Sequence, residues 1–178
     1  MPKLINIRGT SGAGKTTLAR AIMDAYGART SYRIEGRKQP IGYLFKHPNG
    51  GRDLAVIGHY ESDCGGCDTI SLGFETIFGL VRQNYEAGHD VLFEGLLISG
   101  DVRHYKALFE DVGEDLNTVY LHVDYDTCVA SINKRRQDKY AAHVAEVARF
   151  NEELEQLHDE TGKKVAKPRG ARAAPEEY

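Results

Sequence analysis

The segment Gly9-Thr10-Ser11-Gly12-Ala13-Gly14-Lys15-Thr16 follows a short apolar run, Leu4-Ile5-Asn6-Ile7, and precedes a stretch with helical spacing of apolar residues. It matches the P-loop pattern at every fixed position. The glycines let the backbone curl so that several N–H groups point at a phosphate, and the helix adds the positive end of its dipole. A chance glycine-rich turn would not require that strand and that helix, so the context favours a phosphate-binding loop.

The motif predicts the roles of two of its side chains. Lys15 supplies a positive charge to the β and γ phosphates, and the Thr16 hydroxyl is a ligand for Mg²⁺. We therefore expect ATP and Mg²⁺ as cofactors. The predicted nucleotide-binding residues are Gly9, Thr10, Ser11, Gly12, Ala13, Gly14, Lys15, Thr16 and Thr17.

Length and composition limit the classes of protein to consider. The chain has 178 residues, 41% of them hydrophobic, and a net charge of -3 at pH 7. No apolar run is long enough for a membrane span, and the first residues turn polar too soon for a signal peptide. Three cysteines cannot all pair, which favours a reducing cytoplasm. A chain this short lacks room for the extra domains of motor or transport ATPases, so we expect a small phosphotransferase.

Alternating strand-like and helical segments predict an α/β protein with a mostly parallel sheet flanked by helices. Residues 41–46 and 54–60 flank a turn-rich segment and predict an inserted β-hairpin. Later segments predict a strand over residues 91–98, a buried strand over 118–123, a helix after Asp124 and a separate, longer helix that follows it. We expect one domain over residues 1–160 and a basic, flexible tail over residues 161–178.

Glu94 ends the apolar run Val91-Leu92-Phe93 and precedes Gly95. Ligands of open α/β sheets bind at the carboxyl ends of the strands. A carboxylate at that place could hold Mg²⁺ through water or accept a proton from an attacking hydroxyl. The alternative is a capped or surface carboxylate, but a charge in so apolar a run is costly unless it is used or paired.

The segment Cys64-Gly65-Gly66-Cys67 allows three interpretations: a substrate-binding loop, a metal site and a redox pair. A zinc site needs about four ligands, and no second Cys-x-x-Cys is present. A glycine-rich bend that a substrate can approach closely is the interpretation we favour. The predicted substrate-binding residues are Tyr60, Cys64, Gly65, Gly66, Cys67 and Asp68, and the candidates for the catalytic base are Asp63, Asp68 and Glu94.

Two arginines, Arg135 and Arg136, follow a predicted helix, with Lys134 beside them. Arginines on a helical lid can neutralise the charge that develops on a transferred phosphoryl group. The alternative is a solvated helix end, where cations are stabilised by the helix dipole. The predicted catalytic set is therefore Lys15, Asp63, Glu94, Arg135 and Arg136.

Three segments resemble small P-loop kinases of tailed bacteriophages, a group that includes the 5-hydroxymethyluracil DNA kinases. They are Ile7-Arg8-Gly9-Thr10-Ser11-Gly12-Ala13-Gly14-Lys15-Thr16-Thr17, then Gly58-His59-Tyr60 leading to Cys64-Gly65-Gly66-Cys67-Asp68, then Phe93-Glu94-Gly95-Leu96-Leu97-Ile98-Ser99. The P-loop segment is common to all P-loop kinases, whereas the other two are more specific to the phage group. The resemblance implies a P-loop kinase-like fold and phosphorylation of the hydroxymethyl group of the modified base in phage DNA.

That resemblance also implies a DNA partner and a location in the host cell cytoplasm. The basic residues in and before the hairpin are then candidates for a phosphate-binding groove: Arg33, Arg37, Lys38, Lys46 and Arg52. An ordinary solvated hairpin is the alternative. Two other functions remain open at this point: a kinase of a free nucleoside, nucleotide or other small metabolite, and a nucleotide-binding regulatory module without turnover.

Overall fold

The computed structural model describes residues 1–161, with side chains up to residue 150 and at residues 152, 153 and 156. The chain divides into two compact units, the first formed by Met1–Val123 and the second beginning at Asp124. Apart from Thr161, the predicted basic tail lies outside the described residues. The domain boundary at residue 160 stays a prediction.

The first unit is built on one six-stranded sheet. Its strands are β1 (Leu4–Arg8), β2 (Arg29–Tyr32), β3 (Gly42–Phe45), β4 (Leu54–Ile57), β5 (Asp90–Glu94) and β6 (Leu116–Tyr120). Its helices are α1 (Lys15–Tyr26), α2 (Phe74–Glu86), α3 (Leu96–Gly100) and α4 (Val102–Val112). The spatial order of the strands is β2-β3-β4-β5-β1-β6.

The pairing confirms the predicted α/β class. Strand β1 pairs in parallel with β5 and β6, and β4 pairs in parallel with β5. The predicted hairpin is present as the antiparallel pair β3–β4, which β2 extends by a further antiparallel pairing. Because β1 and β5 are parallel neighbours, the loop after β1 and the end of β5 meet at one edge of the sheet.

Alternation along the central strands divides the core between the two faces of the sheet. In β4, Ala55 and Ile57 belong to one apolar cluster, whereas Leu54 and Val56 belong to the other. The first cluster contains residues of α2 and α4, and the second contains residues of α1. Successive strand side chains point to opposite faces, so this division places helices on both sides of the sheet.

The strand predicted over residues 91–98 is wrong beyond Glu94. The chain leaves β5 after that residue, and helix α3 begins at Leu96. The reason is a capping interaction from far along the chain, since the Asp68 carboxylate accepts hydrogen bonds from the backbone N–H groups of Leu97 and Ile98. The leucine-rich run therefore starts a helix instead of continuing a buried strand.

Two edge strands also differ from the sequence-based expectation. The strand expected to be buried over residues 118–123 is β6, and most of its residues are exposed because it lies at the edge of the sheet. At the other edge, β2 lies in a polar segment for which no strand was predicted. An edge strand has one neighbour and need not bury alternate side chains, so its sequence carries little apolar pattern.

The described part of the second unit is one helix, α5 (Tyr125–Thr161). The expectation of two successive helices is wrong here, because residues 125–161 contain neither the proline nor the glycine that would end the first. Among the described residues, no helix is both long and apolar enough to cross a membrane.

Candidate active site

The P-loop connects β1 to α1, as the motif predicts. Gly9 has φ +149° and Gly14 has φ +87°, conformations that side chains rarely adopt. The Lys15 amino group turns back over the loop and donates hydrogen bonds to the carbonyl oxygens of Gly9 and Thr10, each at 2.9 Å. All nine predicted nucleotide-binding residues therefore lie in this loop or in the first turn of α1.

Glu94 lies beside this loop, at the carboxyl end of β5. It is paired in register with Ile7 of β1 and is only 2% exposed. The Thr16 hydroxyl donates a hydrogen bond to Glu94 Oε1 at 2.8 Å. Burial raises the pKa of Glu94 above its ordinary value, and the Thr16 hydrogen bond and the nearby charge of Lys15 oppose that rise in part.

The Thr16–Glu94 pair has the chemistry of a Mg²⁺ site. Both side chains offer hard oxygen atoms, the ligand type that Mg²⁺ prefers. Among the side chains that the structure describes, no group of three or more His, Cys, Asp or Glu is placed to hold a metal ion. Mg²⁺ in phosphoryl-transfer sites is commonly bound by one or two protein carboxylates together with substrate phosphates, so a hydroxyl and one carboxylate fit this ion.

The Cys-Gly-Gly-Cys segment packs directly against that pair. Gly66 has φ +96°, and a Cβ atom there would lie 2.7 Å from Glu94 Oε1. A Cβ atom on Gly65 would lie 2.7 Å from the Thr16 methyl carbon. Gly66 is also held by an antiparallel bridge to His59, which follows β4. The Cys-Gly-Gly-Cys segment and the P-loop, which the sequence singled out independently, thus meet beside Glu94.

The three candidate bases occupy different environments. Asp68 is exposed, and its two oxygens accept the N–H groups of Leu97 at 3.0 Å and of Ile98 at 3.2 Å. Asp63 is exposed on the loop before Cys64. Glu94 alone of the three is buried beside the P-loop. The geometry therefore gives Asp68 a capping contact and favours Glu94 as the reactive carboxylate.

The two cysteines of the motif differ in burial. Cys64 is exposed and Cys67 is buried, and both are free thiols. The Cys67 thiol donates a hydrogen bond to the Ile57 carbonyl at 3.3 Å, and burial raises its pKa well above the ordinary value. A thiol held in its neutral form is a poor redox nucleophile. These contacts favour a structural role for Cys67 within a substrate loop.

The aromatic residues of the hairpin pack inside the protein. Tyr43 and Phe45 are fully buried, so base stacking on them is excluded in this arrangement. Tyr60 is also buried, and its backbone N–H donates to the Tyr43 hydroxyl at 3.1 Å. The buried Tyr60 hydroxyl has no hydrogen-bond partner among the described side chains and backbone. Its predicted contact with substrate stays a prediction.

Two features of the site were not predicted from the sequence: the contact of Arg20 with the glycine-rich loop and the burial of His59. The Arg20 guanidinium, on α1, donates hydrogen bonds to the carbonyl oxygens of Tyr60 and Ser62 and thereby fixes the start of the glycine-rich loop. His59 is 3% exposed, and in the described part of the chain neither ring nitrogen has a hydrogen-bond partner. Burial lowers the pKa of His59. The helical periodicity around Arg20 gave no hint of this contact, which joins residues 40 and 42 positions apart.

The remaining predicted residues fall into two groups. Arg135 and Arg136 lie on α5, in the second unit, and their role as lid arginines stays a prediction. The hairpin cations make contacts within the first unit: Lys46 with Asp53, Arg52 with Asp90, Arg37 with the Thr69 carbonyl and Arg33 with the Lys38 carbonyl. The role of these cations in a phosphate-binding groove stays a prediction.

Comparison with known proteins identifies relatives among phage enzymes. A 5-hmdU DNA kinase of Pseudomonas phage PaMx11 is 44% identical over 137 residues, which cover 77% of this chain and 71% of that protein. A 5-hmdU DNA kinase of Delftia phage PhiW-14 is 36% identical over 87 residues, 49% of this chain and 30% of that protein. A third, from Bacillus phage SP10, is 24% identical over 143 residues, 77% of this chain and 21% of that protein. No family model matches the chain, and no solved structure matches it.

Proposed function

Because the chain belongs to the family of phage 5-hmdU DNA kinases, we propose that it transfers the γ-phosphoryl group of ATP to the hydroxymethyl group of 5-hydroxymethyluracil in DNA. The observation that carries the proposal is the contact of three predicted elements at one place. The P-loop hydroxyl of Thr16, the buried carboxylate of Glu94 and the glycine-rich loop at Gly66 meet at the carboxyl edge of the sheet. A kinase must bring the phosphoryl donor and the acceptor together at one place.

The P-loop residues bind the donor. Backbone N–H groups of the loop and the start of α1 surround the phosphates, and Lys15 exchanges its contacts with the Gly9 and Thr10 carbonyls for the β and γ phosphates. When bound, Mg²⁺ neutralises charge on these phosphates. Thr16 would hold the ion directly, and Glu94 would hold it through a water molecule. We assign this nucleotide site, with its neighbouring strands, to a P-loop kinase fold.

Glu94 prepares the acceptor. The hydroxymethyl oxygen forms a bond to the γ phosphorus while the bond from that phosphorus to the bridging oxygen of ADP breaks. The proton of the hydroxyl passes to the Glu94 carboxylate, which is buried beside the P-loop and accepts the Thr16 hydrogen bond. One of the arginines on α5, Arg135 or Arg136, stabilises the charge on the transferred group. The products are ADP and the phosphorylated base.

The decisive experiment offers two acceptors in parallel. The protein is incubated with γ-labelled ATP and Mg²⁺ and either DNA containing 5-hydroxymethyluracil or the free nucleoside. Label is expected on the DNA, none on matched thymine DNA, and a loss of transfer in Lys15→Ala. Transfer to the nucleoside alone would identify a small-metabolite kinase, and transfer to neither acceptor would favour a nucleotide-binding module.

A further inference from the structure

Helix α3, which directly follows Glu94 and Gly95, exposes two leucines at the site. Leu96 is 51% exposed and Leu97 is 62% exposed. Two peptide units span at most about 7 Å, so the backbone of Leu96 lies within that distance of Glu94. Val102, at the start of α4, is 77% exposed. Single exposed apolar side chains are common, but adjacent ones beside a reactive carboxylate need an explanation.

The same short helix is held firmly on its inner side. Its first N–H groups are bound by Asp68, and Ile98 is fully buried. The Ser99 hydroxyl donates to Asn6 Oδ1 at 3.2 Å, and the Arg8 guanidinium donates to the Ser99 carbonyl. A segment tied down at four places could not turn its leucines inward without losing those contacts. Leu96 and Leu97 are therefore presented outward on a rigid support.

We propose that Leu96 and Leu97 form an apolar wedge that enters the base stack of duplex DNA and fills the place of the extruded 5-hydroxymethyluracil. This inference rests on the proposed function. An enzyme acting on a base atom in a duplex must extrude the nucleotide, and apolar side chains are the usual groups inserted between base steps. The occupant of this surface is therefore the stacked interior of DNA.

Helix α4, which follows the wedge in the chain, carries exposed cations that suit that occupant. Arg103 and Lys106 are exposed on α4 and lie three positions apart, on one side of the helix. Lys106 also lies 3.7 Å from Glu110, an exposed pair that a phosphate can replace. Two acidic side chains border this stretch, and both are already bound: Asp68 to the backbone N–H groups of Leu97 and Ile98, and Asp101 to the backbone N–H and the ring of His104. The first turns of α4 therefore offer exposed cations to DNA phosphates.

The test varies how strongly the target base is held in the stack. The acceptors are 5-hydroxymethyluracil opposite adenine, opposite a mismatched guanine, and in a single strand. Leu97→Asn, which keeps the side-chain size but not its apolar character, should reduce kcat/KM about tenfold or more on the adenine duplex. The loss should be smaller on the mismatch and about twofold or less on the single strand. Leu97→Met should retain activity on all three.

Two further measurements separate a wedge from other roles. Phe109→Ala removes a similarly exposed apolar side chain (54%) near the far end of α4, and it should leave all three rates unchanged. A 2-aminopurine placed beside the target should brighten on binding of the native protein and not of Leu97→Asn. Equal losses of activity on all three acceptors, or no loss on the duplex, would overturn the wedge. If the native protein labels none of the DNA acceptors, the proposed function itself fails.

Discussion

Replacing Gly66 by alanine tests whether the glycine-rich loop positions Glu94. Gly66 has φ +96° and ψ -174°, a region used almost only by glycine, and a residue with a side chain there costs about 1–3 kcal/mol. The added Cβ would also lie 2.7 Å from both the carbonyl oxygen and Oε1 of Glu94. Overpacking of this kind adds about 1–3 kcal/mol. The free energy of unfolding should therefore fall by about 2–6 kcal/mol.

The matched control is Gly88→Ala. Gly88 has φ +89°, but no atom lies within 4 Å of a Cβ built there, so this variant carries the backbone strain without the clash. Urea unfolding should place both variants below the native protein, with Gly66→Ala lower by about a further 1–3 kcal/mol. Labelled transfer to DNA should fall about 100-fold in Gly66→Ala, because the clash displaces a reacting group, and remain near native in Gly88→Ala.

A double-variant cycle isolates the contact with the carboxylate. In a Glu94→Ala background the Cβ of Ala at position 66 no longer meets Oε1, so the Gly66→Ala step should cost less unfolding free energy than in the native protein. Equal costs in the two backgrounds would show that the loop does not press on this side chain. Equal unfolding midpoints for Gly66→Ala and Gly88→Ala, with activity retained in both, would refute the packing argument as a whole.

Three other substitutions probe neighbouring groups. Burial raises the pKa of Glu94 in the folded protein, so the free energy of unfolding should fall as pH rises from the pKa of the unfolded chain through that of the folded protein. The Glu94→Gln variant should lack that fall and should be inactive. Identical urea midpoints for the native protein and Glu94→Gln at every pH would contradict this prediction. The Asp68→Ala variant removes the acceptor of two N–H groups of α3, so the free energy of unfolding measured in urea should fall by about 0.5–2 kcal/mol. An unchanged urea midpoint would show that water replaces the cap. The His59→Phe variant removes two buried ring nitrogens that have no hydrogen-bond partner among the described residues, so the midpoint of thermal unfolding should rise. A lower midpoint would reveal an interaction of the imidazole that stabilises the fold.

The parts of the site that could be predicted from the sequence depend on short stretches of chain. The P-loop is defined by eight consecutive residues, and Glu94 follows from the rule that parallel strands end at a common edge. The cap of Asp68 on α3 joins residues 29 and 30 positions apart, and no pattern near either one announces it. The polar edge strand β2 was missed for a related reason, because its one neighbour, β3, and not its own sequence makes it a strand.

The glycines of the loop acquire a different meaning from the structure. Their sequence suggested a bend that a substrate could approach, yet the close approach observed is to the protein's own Thr16 and Glu94. A side chain on Gly65 or Gly66 would separate the loop from the P-loop residue that contacts Mg²⁺ and from the carboxylate that receives the proton in the proposed reaction. Glu94 is thus held by β5 through its backbone, by Thr16 through a hydrogen bond and by Gly66 through packing. Substitutions in the glycine-rich loop should therefore also disturb the nucleotide-binding part of the site.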